Sequence, residues 1–218
     1  MHEGDHLKVY VLDVERAMAI GRGPQVRVSR IHPSLVKRLF EMEVPEIAAG
    51  IVVIKSLTRE AGSRTKMAVW SNDPMIDPVG ACVGQRGGRV DRVVAELKGE
   101  KVDIIKWSED PVEFVANALN PAHVMEVYTA ENIRSCRVVV PDNQLSLAIG
   151  KEGQNARLAA KLTGWKIDIK SESQAAEMSD MSVEDDAPVV NELPDLTPIF
   201  DLGIEDLGNL PGDSDETL

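Results

Sequence analysis

The chain has 218 residues, 43% of them hydrophobic, and a formal net charge of -12, enough apolar sequence for one or two ordinary cores. The charge is uneven: residues 171–218 hold 14 acidic residues and no Lys or Arg, leaving 24 basic and 22 acidic residues in 1–170, a net charge of +2. The overall pI near 4.8 thus averages a nearly neutral body with an acidic tail, and it does not exclude a polyanionic ligand for the body.

The chain opens on Leu7 to Val14, which alternates like a half-buried strand, and Gln25 to Ser29 reads as its partner beyond the turn-prone Gly21-Arg22-Gly23-Pro24. His32-Pro33-Ser34 starts a helix with Leu35, Val36, Leu39 and Phe40 at helical spacing, ending near Pro45. Strands over 50–58 and 66–71 follow, then a short helix over 79–83, a glycine loop, a helix over 89–97 and a strand over 102–107. Asp110-Pro111 begins a helix running to Leu119, with proline in the first turn where its missing N–H is harmless. The order then repeats: strands over 124–129 and 137–141, a short helix over 144–149, a second loop, a helix over 155–162 and a strand over 166–169. The fold class is α+β, two copies of α-β-β-α-loop-α-β.

The loops are the chemical centre of the repeat. Val83-Gly84-Gln85-Arg86-Gly87 recurs about 66 residues later as Ile149-Gly150-Lys151-Glu152-Gly153. Glycine lets backbone approach a ligand and adopt positive φ, and the following helix offers unpaired N–H groups at its positive end, so a GxxG joining two helices suits a phosphodiester. A single copy would more often be a plain tight helical turn; two copies in the same setting favour the phosphate reading. Gly84, Gly87, Gly150 and Gly153 would bring backbone to phosphate, with Gln85, Arg86, Lys151 and Glu152 filling the loops. Glu152 opposes an anion and marks the second loop as the weaker clamp. Arg89, Arg92, Arg157 and Lys161 lie on the following helices, where a solvated face competes with ligand contact. Val83 and Ile149 could floor a base groove or pack inward, and Trp107 and Trp165 read as packing residues.

These loops and their flanks resemble type II KH domains. Further stretches, Ser29-Arg30-Ile31-His32-Pro33, Phe40 to Ile47, Asp77 to Gly84 and Asp142 to Gly150, are similar to the NusA family of bacterial transcription termination/antitermination factors across roughly residues 6–170. The resemblance implies tandem type II KH domains over 31–108 and 109–170, preceded at 1–30 by the last strands of an OB-fold barrel and followed at 171–218 by an acidic, disordered tail. It implies a cytoplasmic, non-enzymatic protein that binds nascent single-stranded RNA in transcription pausing, termination and antitermination, in company with the RNA polymerase elongation complex. On this resemblance the family's N-terminal polymerase-binding domain is expected to be absent from these residues.

No export signal or membrane span is predicted, and Cys82 and Cys136 suggest neither a disulfide framework nor a zinc ribbon. No P-loop, nucleophile motif or metal-ligand spacing is present, so neither cofactor nor metal is expected, and a monomer is. The other reading left open is a protein-interaction adaptor, with the KH folds as scaffold and the tail, including the apolar segment Leu193 to Leu202, as its working surface.

Overall fold

A computed structural model describes residues 4, 6–15 and 23–180. β1 (Tyr10–Glu15) and β2 (Gln25–Ser29) form an antiparallel hairpin. A bulge at Leu12 sets Val11 opposite Val28 and Val14 opposite Val26, which places four valines on one face. Each of the four is about half exposed, so nothing among the described residues covers that face. The hairpin is tied to the body of the protein by Arg30, which donates to Glu96 Oε1 at 3.0 Å, to the Glu96 carbonyl at 2.6 Å and to the Lys8 carbonyl at 2.5 Å. Tyr10 also stacks on His32 with ring centroids 4.6 Å apart.

The first module runs α1 (Pro33–Glu43), α2 (Pro45–Ala48), β3 (Val52–Glu60), β4 (Arg64–Ser71), α3 (Pro78–Val83), the first glycine loop, α4 (Gly88–Glu96) and β5 (Lys101–Lys106). β4 is central, antiparallel to β3 and parallel to β5. Through α5 (Pro111–Ala118) the chain enters the second module: β6 (Glu126–Ala130), β7 (Ser135–Val140), α6 (Leu145–Ile149), the second loop, α7 (Gln154–Thr163) and β8 (Lys166–Ser171). Its sheet repeats the first, with β7 central, antiparallel to β6 and parallel to β8. The repeat predicted from sequence is therefore present in both copies.

Alternation along β4 sends its side chains into two cores. Met67 and Val69 join Leu35, Val36, Leu39 and Phe40 of α1 with Val93 of α4, and Phe40 is completely buried. Ala68, on the opposite face, joins Ile105 and a core built mainly from the second module, including Val115, Leu119, Val138, Ala159 and Leu162. The first sheet is thus covered on one side by its own helices and on the other by α5 and α7. Lys66 lies on that second face with no exposed surface, its Nζ 2.8 Å from the Asn120 carbonyl and 3.2 Å from Asp103 Oδ2. Burial lowers its pKa against the opposing pull of Asp103. At the end of the same sheet Arg59 and Glu100 form a buried pair, Nε to Oε1 at 2.8 Å, and Glu100 also accepts from Thr65 and from the Gly62 amide.

Regular structure extends beyond Lys170, where the acidic tail was expected to begin. β8 runs to Ser171 and α8 (Glu172–Asp180) comes next. The Asp142 carboxylate fastens this turn, accepting from the Ser173 amide at 3.3 Å and its hydroxyl at 2.8 Å. Residues 181–218, including the apolar segment at Leu193 to Leu202, lie outside the described residues.

Candidate nucleic-acid interface

Each glycine loop bridges a short helix and a longer one, and their backbones follow one path. Gly84 has φ 73° and ψ 177°, Arg86 φ 51° and ψ 30°, Gly87 φ 80° and ψ 2°. The matching values are 78° and 172° at Gly150, 53° and 29° at Glu152, and 72° and 14° at Gly153. Three of four positions in each loop carry positive φ, and a non-glycine residue is held left-handed at the third. Turning the chain this sharply leaves Gln85 and Arg86, and Lys151 and Glu152, exposed at the tips. No hydrogen bond or ion pair within the described residues engages the side chains of Arg86 or Lys151.

The two glycines of each loop do different work. A Cβ on Gly84 would stand 2.6 Å from Arg89 Cγ, and one on Gly150 would stand 2.8 Å from both the amide nitrogen and Cβ of Asn155. The first glycine is thus required by the helix folded against it, more than by any ligand. Around Gly153 nothing lies within 4 Å, and around Gly87 the nearest atom is Asp91 Oδ2 at 3.5 Å. Close approach from outside is available at the second glycine.

Arg89 and Asn155 occupy equivalent positions and perform one job. Arg89 Nη1 donates to the Ala81 carbonyl at 2.6 Å and to Glu46 Oε2 at 2.9 Å, while Asn155 Nδ2 donates to the carbonyls of Leu119 and Ala148 at 3.0 and 2.9 Å. Both tie down carbonyls at the end of the short helix preceding the loop. Arg89, expected as a ligand contact, is thereby engaged from within, although it also lines an open cleft of about 480 Å³ with Glu46, Gly80, Ala81, Gly84, Gln85, Gly88 and Arg92. Arg92 faces the same cleft, paired with Glu43 at 2.5 Å. In the second copy Arg157 pairs with Glu60 at 2.8 Å and Lys161 is exposed. Of the apolar candidates, Ile149 is 38% exposed beside Leu147 at 47%, so an apolar rim adjoins the second loop. Trp107 packs edge-on to Trp70 at 5.4 Å, and Trp165 packs against the second core, as expected of packing residues.

Side-chain caps are found at α1, α3 and α5. His32 Nδ1 accepts from the Ser34 amide at α1, Asp77 from Val79 and Gly80 at α3, and Asp110 from Val112 at α5. No side chain caps α4 or α7, nor the short helices α2 and α6. Gly88 and Gln154, the first residues of α4 and α7, donate their amides to the carbonyls of Gln85 and Lys151 within the loops, and the amides that follow have no side-chain cap.

Residues 30–107 match the family model of the NusA-like first KH domain, and residues 111–177 match that of the NusA-like second KH domain. Together the two matches take in well over half of the chain, in the family's order. The chain belongs to the NusA-like KH proteins. It is 60% identical over 183 residues to the transcription termination/antitermination protein NusA of Halalkalibacterium halodurans, a match covering 84% of this chain and 47% of the relative. To the protein of that name from Bacillus subtilis it is 59% identical, covering 86% and 51%, and to that from Thermus thermophilus 49%, covering 83% and 45%. The chain thus spans about half the length of the curated relatives it matches. The NusA-like pair accounts for the repeat, and the second match includes the turn at Ser171 to Ser173 and much of α8. Among the described residues no helix is long and apolar enough to cross a membrane.

Proposed function

We propose that the paired KH modules bind single-stranded RNA, with phosphates seated at Gly84 to Gly87 and at Gly150 to Gly153, and that the protein acts on nascent RNA in transcription pausing, termination and antitermination. The observation that carries this reading is the twice-built loop of matching backbone, each copy ahead of a helix that no side chain caps. Amides with a partial positive charge, an open second glycine and an exposed Arg86 or Lys151 form an anion seat small enough for one phosphodiester. KH modules clamp about four nucleotides each, so two in tandem engage a longer strand. The relatives' role in termination and antitermination supports placing that strand in a transcribing complex, with RNA polymerase as partner and the cytoplasm as setting. The protein works by binding, as a monomer, without catalysis or cofactor.

The test replaces Gln85 and Arg86 with Asp, or Lys151 and Glu152 with Asp, leaving all four glycines. RNA affinity should fall in each variant and further in the combination, and the log-log salt slope should shrink by roughly 0.7 per lost phosphate contact. The first loop should be the more sensitive, since its variant loses Arg86 and gains two carboxylates. Unchanged affinity in the combined variant, with circular dichroism intact, would refute RNA binding through the loops.

A further inference from the structure

The two loops share a backbone path but not a support. Where α7 begins with Gln154 and carries Arg157, the equivalent positions of α4 are Gly88 and Asp91. Glycine has no side chain to offer, and an aspartate cannot donate to a carbonyl. In the second copy both side chains are engaged. Gln154 Nε2 donates to Glu60 Oε2 at 2.6 Å and to Ser63 Oγ at 2.8 Å. Arg157 Nε donates to Glu60 Oε1 at 2.8 Å, and its Nη1 donates to the carbonyl of Glu152 at 3.1 Å. Glu60 closes β3 and Ser63 sits in the turn before β4, so both belong to the first module. The carbonyl held by Arg157 is that of the left-handed residue, Glu152, whose conformation is disfavoured for any residue with a Cβ and persists where its surroundings enforce it.

We propose that Glu60 is a positioning residue for the second loop: through Arg157 it lets the first KH module set the shape of the second module's phosphate seat. Arg157 is then a strut that reaches the loop from behind, and the two modules act as one binding unit. The consequence for affinity rests on the RNA-binding reading above; the consequence for loop order does not. Electrostatics and positioning predict opposite signs. Removing a carboxylate near an anion site should strengthen RNA binding if charge alone matters, whereas it should weaken binding if Glu60 holds the loop. Docking of the modules survives the substitution, because Thr58 Oγ1 still bonds the Leu158 carbonyl at 3.2 Å and the shared core is untouched.

The experiment compares Glu60→Gln with the unsubstituted full chain, using fluorescence anisotropy of a labelled single-stranded RNA of about twelve mixed nucleotides, long enough for both modules. Affinity should fall roughly threefold to tenfold, the penalty for ordering a loop upon binding. The same loss should appear in the Gln85→Asp/Arg86→Asp background and vanish in the Lys151→Asp/Glu152→Asp background, where the second seat is already disabled. Hydrogen exchange should quicken at the amides of Glu152 and Gly153 while β7 stays protected, and Arg157→Lys, which cannot bridge both partners, should reproduce each effect. Tighter binding, a loss that persists in the second-loop background, or unchanged exchange at Glu152 and Gly153 would overturn the proposal. If neither loop variant weakens RNA binding, the RNA reading falls by itself, and the exchange result still decides whether Glu60 orders the loop.

Discussion

Replacing each loop glycine in turn with alanine should separate residues that build the loop from residues that expose it. Gly150 combines φ 78° with ψ 172°, a region essentially reserved for glycine, and there backbone strain alone amounts to about 1–3 kcal/mol. A Cβ would also meet the amide nitrogen of Asn155 at 2.8 Å. That nitrogen is helix backbone and cannot swing aside, and the Asn155 side chain is pinned by the carbonyls of Leu119 and Ala148. With overpacking adding about 1–3 kcal/mol, Gly150→Ala should lose about 3–5 kcal/mol. Gly84 has the same dihedral strain, but its Cβ would press on side-chain rather than backbone atoms of Arg89, so Gly84→Ala should lose about 2–3 kcal/mol. Gly153, left-handed with nothing within 4 Å of a Cβ, should lose only the conformational preference, about 1 kcal/mol. Urea unfolding followed by circular dichroism, with one m-value across the set, reads this order directly. Equal losses for Gly150→Ala and Gly153→Ala would refute the division of labour between first and second glycines.

Glu100→Gln should destabilise by about 3–5 kcal/mol in the same assay, because it leaves the buried Arg59 guanidinium without a counter-charge; a loss under about 1 kcal/mol would mean that the pair is solvated. Burial would raise the Glu100 pKa, but hydrogen bonds from Arg59, Thr65 and the Gly62 amide outweigh it and hold it below the ordinary 4.5. A depressed carboxylate contributes stability that is complete above its unfolded value and lost as pH falls through its folded value, so the unfolding midpoint should drop below about pH 4.5 and do so less steeply in Glu100→Gln. Burial pushes the thiols of Cys82 and Cys136 up to about 12 and about 11, so iodoacetamide at about pH 8 should label neither in the native protein and both in urea, as mass spectrometry would show. Amides of β1 and β2 should exchange faster than those of β4, since a two-stranded ribbon with a half-exposed valine face opens locally; equal protection would mean that the hairpin is covered.

The elements were legible in the sequence because each states its own period: Leu35, Val36, Leu39 and Phe40 mark a helix, and the paired glycine loops mark the repeat. Positive φ at the loop glycines followed from their identity. What could not be read was pairing over distance. Arg89 and Arg157 look like solvated helix cations, and their partners Glu46 and Glu60 stand 43 and 97 positions away with no local signal. Nothing local marks Lys66 as buried, and only the second module arriving over the first sheet makes it so. Asn155 could have been noticed, since an amide side chain on the apolar face of a helix, among Leu158, Ala159 and Leu162, needs internal partners. Composition turns acidic after Lys170, but the chain there is held by Asp142, a residue of the body 31 positions upstream, so composition alone places the boundary too early.

The two-sided burial of the first sheet bears on how the chain is made. A ribosome releases residues in order, so β3, β4 and β5 emerge complete while α5 and α7 are still to come. During that interval Ala68 and Ile105 face water, and the ammonium of Lys66 lacks the Asn120 carbonyl that later receives it. The nascent first module is therefore a half-finished sandwich, sticky on one side, until the sequence through Thr163 has cleared the exit tunnel and laid α7 across it.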